Sequence, residues 1–292
     1  MAHQQDSSTP LSPGQSAPTH GASEIRILPP GEARIHSVNW QGLSALYMKE
    51  VRRFFKVQLQ TIWAPSITTL LFLIIFTVAL GREGRMVLGV PFASFIAPGL
   101  IVMAMMQNAF ANASFSLLGG KLQGTIIDYL MPPLSVAEVL AALVGGAMTR
   151  AVLVGFAVWL AMFIWPGVTV QVQYLWALVF FALMGALMLS FMGVMTSIWA
   201  EKFDHSAAIT NFVVAPLSLL SGTFYVIDNL APAFRAISQL NPFFYVISGF
   251  RYGFIGASDA SLTTGVLLLI GVNVVLGTTC YALLRAGWKI KS

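Results

Sequence analysis

The chain has 292 residues, of which 57% are hydrophobic and 9% charged, with a formal net charge of +5. A soluble domain carries roughly 25% charged residues, so this deficit, with the apolar residues grouped in long blocks, excludes an ordinary soluble fold and predicts an all-α polytopic membrane protein. The basic residues are dispersed beside the apolar blocks, as orientation in a bilayer requires, and form no nucleic-acid footprint.

Residues 1–36 are rich in Ser, Pro, Gln and Gly and show no apolar periodicity, so a disordered tail is expected. They hold no apolar h-region of a secretory signal, which predicts a cytoplasmic start. Residues 37–61 read as an amphipathic helix. Leu43, Tyr47, Val51, Phe54 and Leu59 make one stripe, widened by Leu46 and Phe55, while Lys49, Arg52, Arg53 and Lys56 lie mostly off it. A basic amphipathic helix beside a span lies in the headgroup plane. A gate or a partner-docking surface is the alternative.

Six spans are expected, at about 62–80, 95–118, 137–164, 174–199, 207–227 and 264–285, each near the roughly 20 residues that cross a bilayer. Between the second and third lies GGKLQGTIIDYLMPPLSV, residues 119–136. Leu122, Ile126 and Leu130 recur at helical spacing, with Gly119 and Gly120 expected to break the preceding helix and Pro132-Pro133 to stop this one. Ser135 and Glu138 then fit a capping box that opens the third span. Two readings fit the segment: an interfacial loop, or a short helical lever on which something outside the membrane pushes. Between the fifth and sixth spans, residues 228–261 are apolar but interrupted. Pro232 suits a first helical turn and Asn241-Pro242 marks a break, which predicts one or two helices that dip into the outer leaflet and return, lining a path or capping it. Nine basic residues (Lys49, Arg52, Arg53, Lys56, Lys121, Lys202, Arg285, Lys289, Lys291) fall on the side of the N-terminus and four (Arg82, Arg85, Arg235, Arg251) on the other. That bias places both termini, and residues 119–136, in the cytoplasm.

No catalytic, cofactor or metal constellation emerges. There is no GxxxxGK[ST] loop, HExxH or GxSxG, and the single cysteine, Cys280, reads as an inert helix residue. Arg150 is the one charge well inside a span, where insertion costs about 2.5–3.5 kcal/mol. It either snorkels to the interface or contacts a partner or a substrate headgroup. Asn108 and Asn112, four residues apart with Gln107 and Ser116 nearby, either hydrogen-bond between helices or line a pathway. Ala141, Gly145 and Thr149, and Gly185, Gly193 and Ser197, allow close helix packing. Met103, Met105, Met106, Phe110, Phe224 and Phe244 are expected on exposed span surfaces, suiting amphipathic cargo or lipid. Asp128, Glu138, Glu201 and Asp204 all fall at span edges. With no intramembrane acid to couple an ion, energy is expected to enter from another subunit.

These stretches resemble those of ABC-2 type transport permeases. QGTIIDYLMPPLS looks like the family's coupling-helix segment, and LNPFFYVISGFRYG like its NP-x-x-Y region, here Asn241, Pro242 and Tyr245. FIAPGLIVMAMMQNAF and LSGTFYVID are similar to further family stretches, and the order of all four holds over about residues 40–290. The branch is that of drug, polysaccharide and lipo-oligosaccharide exporters. The resemblance implies a multi-pass protein of the bacterial inner membrane, with six spans, an N-terminal interface helix, re-entrant outer helices and a permease domain over 62–286. It implies a second copy or a homologous permease as partner and two cytoplasmic ABC ATPase subunits that bind ATP-Mg, with Gly124, Thr125, Ile126, Ile127 and Leu130 as coupling residues. Of the charged residues the family carries before that Gly-Thr, only Lys121 remains. The expected function is export of an amphipathic, lipidic or glycan-type substrate or drug; a passive channel, a non-ATP transporter and a membrane-embedded enzyme are the alternatives.

Overall fold

A computed structural model describes residues 38–81, 85–164, 168, 171–227 and 231–288. The tail 1–36, Arg82, Asp228, Lys289 and Lys291 lie outside them, and so does the side chain of Leu130. The regular structure of the described residues is helical apart from one hairpin of two-residue strands, Met86–Val87 (β1) against Val90–Pro91 (β2). Helix α1, Trp40–Phe55, opens on Asn39, whose side chain accepts from the Gly42 amide. It leads through a π-turn at Leu59–Trp63 into α2, Ala64–Leu80. Then follow α3 (Phe92–Leu122), α4 (Ile127–Leu130), α5 (Val136–Met162), α6 (Leu175–Trp199) and α7 (Phe203–Ile209). A second π-turn, Thr210–Val214, joins α7 to α8, Ala215–Leu219. The chain ends with α9 (Pro232–Leu240), α10 (Pro242–Ile255) and α11 (Leu262–Ala286).

Among the described residues five helices are long and apolar enough to cross a membrane: Leu59–Ala79, Phe92–Leu122, Val136–Met162, Leu175–Trp199 and Leu262–Ala286. The segment expected as the fifth span is shorter. It is helical only from Phe203 to Leu219 and leaves the helix in a turn where Gly222 has φ +72°. Both π-turns precede a proline, Pro65 and Pro216. A proline ring clashes with the carbonyl four residues back; here those carbonyls belong to Thr61 and Phe212, and each lies in a widened turn.

The bundle is built around α3. Its most apolar stretch is 94% buried, against 22% for the first spanning helix and 17% for α11. Helices α2, α5, α6 and α10 pack on it. The methionine and phenylalanine surface expected to be exposed is this core: Met103, Met105, Met106, Phe110 and Phe244 are all buried, and Phe224 is half-buried. The composition of those stretches is what a membrane helix needs on any face, so periodicity did not reveal which face turns inward. Small residues receive the neighbouring helices as their spacing predicts. A Cβ on Gly185 would lie 2.5 Å from Val246, and one on Gly193 would lie 2.6 Å from the Phe110 carbonyl.

The break at Asn241-Pro242 is present. Asn241 caps α10 by accepting from the Phe243 amide at 3.1 Å, and its amide donates to the Leu217 carbonyl and to Ser221 Oγ, each at 2.9 Å. Helix α9 is largely exposed, whereas α10 is mostly buried. Val246 sits beside Gly185 and Met106, Gly249 beside Phe181, and Gly253 beside Leu178. Thus α10 starts deep in the bundle and climbs α6 toward its first turn, where the Gly253 carbonyl accepts the Gln173 and Tyr174 amides.

Arg251 is no surface charge, contrary to its place in the charge count. Its Nη1 pairs with Asp259 Oδ2 at 3.0 Å, both side chains being 2% exposed or less. Its Nε donates to the Phe95 carbonyl (3.2 Å), its Nη2 to that of Gly222 (2.7 Å), and the guanidinium stacks 3.9 Å from the Phe95 ring centre. One side chain thereby fastens the start of α3, the 220–223 turn, α10 and the loop into α11. Removing one partner of a buried ion pair strands the other charge. Asp259→Ala is expected to cost about 3–5 kcal/mol, read as a lowered thermal midpoint in detergent; an unchanged midpoint would show that the pair contributes nothing.

Candidate functional site

Helix α3 does not break at Gly119-Gly120. It continues to Leu122, and Gly120 instead makes room for a ring: a Cβ there would lie 3.1 Å from Tyr129 Cε2. The break falls at Gly124, with φ +71°, a conformation costly for any residue with a Cβ. The next turn forms at once, with the Asp128 amide on the Thr125 carbonyl (3.1 Å) and the Tyr129 amide on that of Ile126 (3.0 Å). Pro132 and Pro133 end it. The capping box follows as expected: the Glu138 amide donates to Ser135 Oγ and the Ser135 amide to Glu138 Oε2. Glu138 Oε1 also accepts the Asn39 amide at 2.5 Å, tying the start of α1 to the start of α5.

The short helix is therefore held from behind. Tyr129, 5% exposed, donates its hydroxyl to Glu50 Oε1 at 3.0 Å. Burial and the adjacent carboxylate raise the phenol above its ordinary range, so it stays a donor. Glu50 is fully buried, and its Oε2 lies 2.9 Å from Arg53 Nη2. Arg53 in turn donates to the Asn112 carbonyl (2.9 Å) and to its Oδ1 (3.2 Å). Lys49 sits 3.9 Å over the Tyr129 ring and 3.6 Å from Asp128 Oδ2. On the other side of α1, Tyr47 lies against Gly145, and its hydroxyl shares a 2.8 Å hydrogen bond with Thr149. The small-residue stripe of α5 thus seats α1.

Of the expected coupling residues, Ile126 is half-buried against the apolar cluster that includes Leu46, Leu117 and Leu140, Gly124 and Thr125 are exposed, and Ile127 is 55% exposed. Leu130 closes the helix. Met131, 78% exposed, joins Ile127 as an apolar side chain turned away from the bundle; sequence reading missed it. Glu50 was missed too, although it sits within the Tyr47–Val51–Phe54 stripe, where an acid signals a buried partner.

Asn108 and Arg150 come together: Arg150 Nη2 donates to Asn108 Oδ1 at 2.8 Å. Arg150 therefore has a partner within the bundle and does not need to snorkel. It also borders an open cavity of about 880 Å3 between α1, the last turns of α3 and the Tyr129 segment. Asn241, Pro242 and Tyr245 do not join this site. Asn241 and Pro242 build the start of α10, and Tyr245 packs on Gly265 of α11.

A bundle of long apolar helices, with a short turn clamped to an amphipathic helix at one end, is the architecture of a multi-pass membrane protein. Residues 41–255 match the ABC-2 type transporter family. The chain is 35% identical over 255 residues to the inner membrane transport permease YadH of Escherichia coli K12, covering 87% of this chain and 98% of that protein. It is 26% identical over 265 residues to nodulation protein J of Rhizobium leguminosarum bv. viciae (89% and 97% covered), and 23% over 243 residues to that of Rhizobium meliloti (83% and 87%). The chain belongs to the ABC-2 type transporter family, as a membrane permease subunit of an ABC transporter.

A hydrogen bond to a charged group contributes about 1.5–3 kcal/mol. Tyr129→Phe is expected to cost that much in the wild-type background and clearly less in a Glu50→Gln background, measured by denaturant unfolding of all four proteins. Equal costs in both backgrounds would show that the Tyr129–Glu50 bond is not a coupled pair.

Proposed function

We propose that this chain is the permease half of an ATP-driven exporter of the bacterial inner membrane. Two copies, or one copy with a homologous permease, surround the pathway. Two cytoplasmic ABC ATPase subunits bind ATP-Mg and supply the energy, while this chain carries no nucleotide and no catalytic group of its own. The cargo is an amphipathic, lipidic or glycan-type molecule or drug, taken from the cytoplasm or inner leaflet.

One observation carries this reading. The turn 124–131 is anchored on its inner face by Tyr129, Glu50 and Lys49, while Ile127 and Met131 face outward from the same turn. A surface loop without a partner gains nothing from a buried carboxylate behind it and two exposed apolar side chains in front. An ATPase seated on Ile127 and Met131 would push, through Tyr129, on α1 and α3 together. The end that carries this turn is then cytoplasmic, with both termini on that side. The segment from Phe203 to Leu219 serves as the fifth of six spans, and α9 and α10 form the re-entrant outer pair, which the deep start and climbing course of α10 support. Location in the inner membrane takes support from the name of the Escherichia coli relative.

The test is co-purification of the tagged chain with its ATPase. Ile127→Asp with Met131→Asp is expected to lower the bound ATPase and its stimulated hydrolysis by about tenfold or more, as losing a central apolar anchor does. The thermal midpoint of the permease should not move, because neither side chain is buried. Full binding and full stimulation in the double variant would remove the docking role of this turn.

A further inference from the structure

The clamp does not use all the charge that faces the 880 Å3 cavity. Lys49, Arg52, Arg53, Lys56 and Arg150 border it. Arg53 is matched by Glu50 and Lys49 by Asp128. Among the described residues no carboxylate lies within ion-pair distance of Arg52, Lys56 or Arg150.

Arg150 decides what the cavity takes. It reaches the cavity from α5, and its Nη2 is spent on the neutral Asn108 oxygen. Its Nε is buried without an acceptor. Beside it, Asn112 has given its oxygen to Arg53, and its Nδ2 is likewise buried without an acceptor. Buried polar groups are normally paired. Here Arg150, Asn112 and Ser116 each carry one unpaired group, and these three residues line one hollow together with the uncompensated positive charges. Water supplies an acceptor but no charge. A tetrahedral oxyanion supplies both, since its oxygens accept several N–H groups and its charge offsets the guanidinium. The wall also carries Phe54, Val57, Phe115 and Phe203 beside polar residues such as Gln60, Gln123 and Asp128, so a hydrocarbon tail attached to that anion finds apolar side chains to lie against.

We propose that this cavity is a binding site for a phosphate-type oxyanion, with Arg150 as its inner charge, Asn112 beside it, and Arg52 and Lys56 as outer charges. The phosphate is either the headgroup of a lipid or a free anion; the chemistry that recognises it is the same. The proposal rests on the chain being a membrane permease and not on its coupling to an ATPase. It is therefore tested with neither ATPase nor nucleotide present, and its failure leaves the coupling reading untouched.

The experiment compares binding of phosphatidic acid and of diacylglycerol with the same acyl chains to the full-length chain in detergent, by native mass spectrometry. Phosphatidic acid is expected to bind about tenfold tighter or better, and Arg150→Gln to abolish most of that preference. Arg285→Gln, an exposed cation at the end of α11, should leave it intact. Displacement by millimolar inorganic phosphate would show that the free anion enters; persistence of the lipid would show that the phosphate must be lipid-borne; either supports the site. Equal binding of the two lipids, or equal loss in Arg150→Gln and Arg285→Gln, would overturn it. Should Arg150→Gln not fold, Arg52→Gln with Lys56→Gln, both exposed, is expected to weaken phosphatidic acid binding by about threefold or more, and unchanged binding in that variant overturns the proposal equally.

Discussion

The carboxylate of Glu50 has no contact with water, and a charge in that position is tolerated only while its partners stay in place. Those partners come from three directions. Arg53 lies one turn along the same helix, Tyr129 lies 79 residues away in the turn after α3, and Gly146 of α5 leaves the space that the Glu50 side chain fills. Because Arg53 also holds Asn112, the ion pair joins α1 to the middle of α3 as well as to the turn beyond it. Displacing any one of these elements exposes or strands the carboxylate. The amphipathic helix, the core helix and the turn are thus bound to move as one body.

Helix α3 extends that body through the whole bundle. Its 31 residues correspond to about 46 Å of helix, and its two ends are fastened differently. At the start the Phe95 carbonyl and ring hold Arg251, and at the far end Gly120 receives the Tyr129 ring. Between them nearly every side chain is buried, so the rod has little freedom to bend without opening voids. By contrast α2 and α11 present most of their apolar surface outward.

What could be read from the sequence was local. Asn241-Pro242 marks a helix start because a proline at the first turn and an asparagine cap need no distant partner. Ser135 and Glu138 form their box for the same reason. The stripe of α1 and the small residues of α5 were both visible, and they meet at Tyr47 and Gly145. What was hidden depends on partners far along the chain. Glu50 drew no notice on a basic helix, and Arg251 was counted as an interface cation, because Tyr129 behind the one and Phe95 and Gly222 behind the other lie outside any periodicity window. The pair Gly119-Gly120 looked like a helix breaker. Its second member serves ring packing, while the break is set one turn later by the φ of Gly124. The fifth apolar block overstated its helix, since hydropathy does not register that Gly222 and the preceding turn stop it short.

The packing of Gly120 beneath Tyr129 also bears on how this sequence can drift. A larger residue at 120 demands a smaller one at 129, a smaller one at 129 removes the hydroxyl that Glu50 needs, and a neutral residue at 50 then leaves Arg53 without its counter-charge. These positions form a closed epistatic set in which single steps are penalised and only concerted replacement is tolerated. Ile127 and Met131, each two residues from Tyr129 on the outward side, carry no such bond to the interior. The same turn therefore holds a nearly frozen face beside one free to change.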